Sequence, residues 1–155
     1  MKKLLALALC FVMCFSFVAC GGKGEESSNT SVAPTEKTTG KISVEILSAK
    51  PAKDTNDKDA IVVEYKFKNG TQKSLAFKFS TKVTVKQGDQ ALKLAAVPKS
   101  DSFDSATSTK PIKPNEEIVA QVAYTPVDMK TALDISVKLE QGEDKTEITK
   151  QVPLA

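Results

Sequence analysis

From residue 41 onward, apolar and polar side chains alternate with a period of two, broken at short intervals by turn-forming residues. Ile42, Val44 and Ile46 fall on one face and Ser43, Glu45 and Leu47 on the other, until Pro51 ends the run. Successive side chains of an extended backbone point to opposite sides, so this pattern describes a strand with one buried face. The clearest case is residues 60–69, where Ile61, Val63, Tyr65 and Phe67 alternate with Val62, Glu64, Lys66 and Lys68 and stop at the turn pair Asn69-Gly70. Leu75, Phe77 and Phe79 continue the alternation as a predicted strand, followed by Val83 and Val85. A Gln87-Gly88-Asp89-Gln90 turn ahead of Leu92 and Leu94 predicts a further hairpin. Residues 98–115, rich in Ser, Thr, Asp, Lys and Pro, form the longest irregular stretch. The period of two returns at residues 118–124 and 133–139, and Gly142 marks the turn to a last strand around Ile148 and Val152. Met129, Leu133 and Val137 have helical spacing, but Leu133, Ile135, Val137 and Leu139 at spacing two outweigh them.

Seven or eight short strands separated by turns in about 115 residues predict an all-β domain, a β-sandwich of two antiparallel sheets with Greek-key connections, rather than a closed barrel. The expected core is Val44, Ile46, Ile61, Val63, Tyr65, Phe67, Phe77, Phe79, Val122, Tyr124, Ile135 and Val137. A domain of this size buries something like two thirds of the surface its unfolded chain exposes, so it needs neither metal nor disulfide to fold.

The first forty residues follow other rules. Lys2 and Lys3 precede an apolar run at residues 4–18, and Phe17-Val18-Ala19-Cys20 resembles a bacterial lipobox, with small Ala19 before the cut and Phe17 where leucine is usual. Gly21, Gly22 and Lys23 end the run short of the twenty or so residues that cross a bilayer. Residues 1–19 are therefore read as a lipoprotein signal peptide, with cleavage between Ala19 and Cys20 and lipidation of Cys20. Two acyl chains on that thiol would hold the protein at the outer face of the cell membrane. Residues 20–40, the lipidated cysteine and a Gly/Ser/Thr-rich stretch, read as a tether with an end-to-end distance of about 25 Å. The domain is placed at 41–155.

Composition narrows the chemistry. Removal of Lys2 and Lys3 with the leader leaves 20 of the 22 lysines against 19 acids, interleaved along the chain, so no phosphate-binding stripe forms and nucleic acid is not an expected partner. Cys10 and Cys14 leave with the leader, and Cys20 alone cannot form an internal disulfide. With no histidine, the Ser-His-Asp and Cys-His arrangements are excluded, as are the usual zinc ligand sets. No serine has a lysine three residues on. No enzymatic activity and no cofactor are expected.

The runs Val44-Glu45-Ile46 and Asp59-Ala60-Ile61-Val62-Val63-Glu64-Tyr65-Lys66-Phe67-Lys68-Asn69 resemble an immunoglobulin-like family of unknown function found in Gram-positive lipoproteins. The resemblance extends to Lys113-Pro114-Asn115-Glu116-Glu117 ahead of Gln121-Val122-Ala123-Tyr124, departing at Asn115, where relatives often have glycine. It implies an immunoglobulin-like sandwich and an extracellular, lipid-anchored setting, and it supplies no catalytic residues.

The remaining candidates are few. Asp54, Asn56, Asp57 and Asp59 cluster oxygen ligands that could hold calcium, against which stand Lys58 at a ligand position and Asp59 where a calcium loop needs glycine. Asp101 and Asp104 share a loop with nothing to fix their separation, and Glu116 and Glu117 read as charges after a Pro-Asn turn. Without tryptophan, and with most aromatics on the dry face, no sugar platform is expected. Phe103 is the one aromatic left to be exposed, either plugging the sandwich edge or anchoring a partner. The expected function is a non-enzymatic surface module that binds another cell-surface protein or peptide through loops or an added strand. The alternatives are an accessory domain without a ligand and a calcium or small-solute binder.

Overall fold

The computed structural model describes residues 42–141 and 146–154. In chain order the elements are β1 (Ile42–Lys53), β2 (Asp59–Asn69), a helical turn α1 (Phe77–Ser80), β3 (Thr81–Gln87), β4 (Gln90–Ala91), β5 (Lys93–Leu94), a second turn α2 (Ala106–Thr109), β6 (Glu117–Thr125), β7 (Leu133–Leu139) and β8 (Glu147–Val152). They form two four-stranded sheets, in the orders β1-β2-β6-β5 and β4-β3-β7-β8, with every pairing antiparallel. The all-β sandwich expected from the alternation is what the chain forms.

Register follows from which residues are apolar, because a slip by one would turn each strand's greasy face to water. Val44 stands opposite Phe67, and Phe67 opposite Ile118. Val83, Val85 and Thr81 stand opposite Val137, Ile135 and Leu139. Between Ile46 and Ser48 the register shifts. The extra residue reverses the in-and-out pattern, so that Ala49 continues the buried face begun by Ile42, Val44 and Ile46. The inner faces enclose Ile61, Val63, Tyr65, Phe67, Leu133, Val137 and Leu139, each essentially inaccessible. Burying one such large apolar side chain stabilises the fold by about 1.5–3 kcal/mol.

The predicted strand at residues 75–79 is replaced by other structure. Leu75 makes only an isolated bridge to Ile112, and residues 77–80 turn into α1. Two residues along a helix lie on nearly opposite sides, so Phe77 and Phe79 part company. Phe77 stacks on Tyr65 with ring centroids 4.9 Å apart and meets Phe67 edge-on at 5.8 Å. Phe79 is 65% exposed and is not part of the core. Val122 is half-buried and packs against the core from its margin.

Two buried amides organise the connections. Asn69 donates from Nδ2 to the carbonyls of Lys73 (2.7 Å) and Ile112 (3.0 Å) and accepts on Oδ1 from the Thr71 N–H and hydroxyl. Gln87 donates to the carbonyls of Asp128 and Thr131 and accepts the Val127 N–H, which fixes the link from β6 to β7. The expected Pro-Asn turn is present: Glu116 N–H donates to the Lys113 carbonyl, and Asn115 has φ +65. That left-handed conformation is the one glycine adopts most readily and asparagine tolerates.

Candidate functional site

The sandwich is finished differently along its two margins. On one side, β1 and β8 come together and Lys150 reaches from β8 to donate to the Ile46 carbonyl at 2.7 Å. On the other, each sheet ends in a strand of two residues. β4 pairs only with Lys86 and Gln87, β5 only with Thr125 and Tyr124, and the chain passes from one sheet to the other through Leu92 alone. Gly88, at φ +55, makes the tight reversal between β3 and β4.

Beyond these stumps the edges of β3 and β6 continue without a paired strand. Leu92 N–H donates to the Val85 carbonyl and Ala95 N–H to the Ala123 carbonyl, while the Gln121 N–H is taken by the Thr107 hydroxyl. Outward-facing backbone groups recur at every second residue of a strand, so Val83 and Thr81 direct theirs to the same side as Val85.

Between the two edges lies a cleft of about 780 Å³, within the range usual for ligand sites. Val83, Val85, Leu92, Val122 and Tyr124 give it an apolar lining, and Leu94, 65% exposed, is also part of its wall. Its polar lining is mainly hydroxyl and amide, from Ser105, Ser108, Thr109 and Gln121. Lys78 is the one charged side chain among the described residues that line it.

Tyr124 adds a directional group. Its hydroxyl and that of Tyr65 lie 3.4 Å apart in the core. A hydroxyl pair shares one hydrogen, leaving the other O–H in need of an acceptor. Burial pushes the Tyr124 hydroxyl up to about 12, partly offset by the bond from Tyr65, and burial drives Tyr65 higher still. Both stay neutral at any physiological pH.

The segment that covers the outside of β6 is held by Gln121. Its Oε1 accepts the Asp104 N–H at 2.8 Å, and its Nε2 donates to the Ser102 carbonyl and to Glu64. Burial works to raise the Glu64 carboxyl, but bonds from Lys50, Ser48 and Gln121 outweigh it and hold it below its usual value. Phe103, for which plugging the sandwich edge and anchoring a partner both stood open, is enclosed with Val62 and Ala123 in a small second core, because residues 95–105 fold back over the outer face of the sheet.

The acidic loop is arranged around its own backbone. Asp54 Oδ1 accepts the N–H groups of Lys58 (2.9 Å) and Asn56 (2.7 Å), and these hold its carboxyl below the usual range. Asp59 pairs with Lys53 at 2.9 Å, and Asp57 has φ +60. Among the described residues no three His, Cys, Asp or Glu side chains converge on a possible metal position. Asp104 pairs with Lys99 and accepts the Ala106 N–H. Glu116 accepts the Lys113 N–H, and Glu117 faces Lys66. Ala19 and Cys20, with the whole leader and tether, lie outside the described residues, as does Gly142. No helix among the described residues is long and apolar enough to cross a membrane.

The cleft itself was not foreseen from sequence. Its one signal is the spacing from the Gly88-Asp89 turn to Leu92 and Leu94, too short for full strands.

Two solved structures share the fold. A presumed lipoprotein from Staphylococcus aureus aligns at 10% identity over 72% of this chain and 83% of its own, with a TM-score of 0.55. An Enterococcus faecalis protein solved by NMR aligns at 16% identity over 77% of this chain and 93% of its own, with the same TM-score. No curated protein matches the chain. The model of the domain of unknown function DUF5067 matches residues 19–139, which include every strand but β8, and the chain therefore belongs to that family.

Proposed function

We propose that the protein is a lipid-anchored extracellular lipoprotein whose sandwich domain binds an extended polypeptide in the cleft and carries out no catalysis. The anchor is supported by the lipobox-like Phe17-Val18-Ala19-Cys20, by a family match that starts at residue 19, and by a fold shared with a presumed lipoprotein. In this reading the sandwich is of the immunoglobulin-like kind, which its strand orders support. Lettered in chain order with β4 as C′, the strand orders β1-β2-β6-β5 and β4-β3-β7-β8 read ABED and C′CFG.

The observation that carries the binding reading is the pair of two-residue edge strands on either side of an apolar cleft. An extended peptide beside β3 would take up the outward backbone groups of Val83, past the end of α1 at Thr81, and place alternate side chains in the cleft. The serine and threonine hydroxyls of the lining would meet a carbonyl there. These groups bind and orient; they are not matched as acid and base.

A photo-crosslinking residue in place of Leu94, in the full chain displayed on cells, should give a defined adduct that a cleft-filling Val122→Trp removes. The same group in place of Gln151, on the outer face of β8, should not. Equal labelling from both positions, or none from Leu94, would favour an accessory domain with no dedicated ligand.

A further inference from the structure

We propose that the segment added at the β3 edge is one in which acidic and apolar residues alternate, a deepening that rests on the strand-addition reading above. The open stretch of β3 shows two different faces. Thr81, Val83 and Val85 turn inward to the core and cleft, whereas Lys82 and Lys86 point outward with half-buried Thr84 between them. An added strand has the same alternation, so every second side chain of the ligand faces the apolar cleft and the others lie on the outer face.

On that outer face the partner of each β3 residue is already known on one flank. Lys82 stands opposite Lys138 of β7, a like-charge pair that a neighbouring carboxylate would offset. Thr84 stands opposite Ser136, which brings no charge. Lys86 has Asp134 on one flank and Ala91 of β4 on the other, and Thr81 closes α1, so the open flank runs past Lys82, Val83 and Thr84. A ligand residue opposite Lys82 meets that ammonium directly, and one opposite Thr84 lies diagonal to both Lys82 and Lys86. Lys78 adds a third cation at the cleft wall. Among the described residues no carboxylate lies within salt-bridge distance of Lys78, Lys82 or Lys86, since the ion pairs use Lys50, Lys53, Lys66 and Lys99.

The same charges argue against a second copy of the chain as the occupant. Two β3 strands paired about a two-fold axis would gather Lys82 and Lys86 of both copies on one face, where like charges repel. An apolar-acidic-apolar-acidic run has neither fault, and it leaves the ligand's backbone to make the ladder bonds.

The test uses the full chain in detergent micelles and three capped pentapeptides: Val-Glu-Val-Glu-Val, Val-Lys-Val-Lys-Val and Val-Thr-Val-Thr-Val. Affinity is measured by calorimetry, and amide exchange is followed at residues 81–85. The acidic peptide should bind about tenfold tighter than the basic one, the size expected of two favourable cross-strand charge pairs replacing two repulsive ones. Added salt should narrow the gap, and Lys82→Glu, an exposed change verified by its melting curve, should reverse the order. If all three peptides slow exchange at residues 81–85 with equal affinity, the charge pattern is wrong while strand addition stands. If none does, both fall together. Slowed exchange that depends on protein concentration without any peptide would assign the edge to self-association instead.

Discussion

Along the β1/β8 margin the chain invests twelve and six residues in its edge strands, and Lys150 bridges the sheets. Along the β4/β5 margin it uses two residues in each, with a single residue between them. Short edge strands are one way of denying a template to unwanted partners. Here the shortening moves the open edge one strand inward, to β3 and β6, where it borders an apolar cleft rather than water. One sandwich can thus end in a bridged seam on one side and an open cleft on the other without any change in its core.

Disturbing the core beneath both margins should cost most. Phe67→Ala removes a ring that is fully buried between the sheets and touches Phe77, and it should destabilise the fold by about 3–5 kcal/mol in urea titration. A much smaller loss would mean that the space between the sheets is loosely filled on both sides.

Alkali should come next. Because Tyr124, and Tyr65 still more, titrate higher in the fold than in the unfolded chain, the unfolded state loses its protons first as pH rises past about 10. Their contribution is complete below pH 10 and declines as pH climbs through about 12, by up to about 1.4 kcal/mol per unit for each tyrosine. They are the chain's two tyrosines, so absorbance of phenolate near 295 nm reports on them alone. It should stay silent until the protein unfolds. Ordinary titration of Tyr124 near pH 10 would show that water reaches its hydroxyl in the folded state.

A smaller effect should separate the seams. Lys150→Met keeps the side-chain stem but deletes the bond to the Ile46 carbonyl, and should cost about 1–2 kcal/mol. Leu94→Ala, on the open side, should change stability by no more than about 0.5 kcal/mol, because its side chain is mostly in water. Equal losses from these two variants, read from chemical denaturation, would erase the distinction between the margins.

Much of the sealed side was legible in the sequence, because strands such as β2 must alternate when one face is dry and the other wet. The bulge after Ile46 was not, since inserting one residue leaves no mark beyond Leu47 falling on the wrong face. The strand predicted at Phe77 and Phe79 is absent for a related reason, although Phe77 itself lies in the core as expected. Two apolar residues at spacing two satisfy a strand, and nothing local announces the helical turn, which is held by tertiary packing of Phe77 and by the Thr81 hydroxyl donating to the Phe77 carbonyl. Phe103 could be read as a plug or as an anchor, since nothing local decides between them; its loop is pinned by Gln121, a residue whose two-sided bonding only the fold creates. The cleft depends on what is missing from two strands, and a deficit of length is the weakest signal a pattern can give.

The crossover at Leu92 makes a single mechanical part of the two stumps. Adjacent α-carbons are about 3.8 Å apart, so a one-residue link has almost no slack. Drawing Gln90 and Ala91 away from β3 would tug Lys93 and Leu94 off β6 in the same motion, and the mouth would widen at both lips like a latch with one tongue.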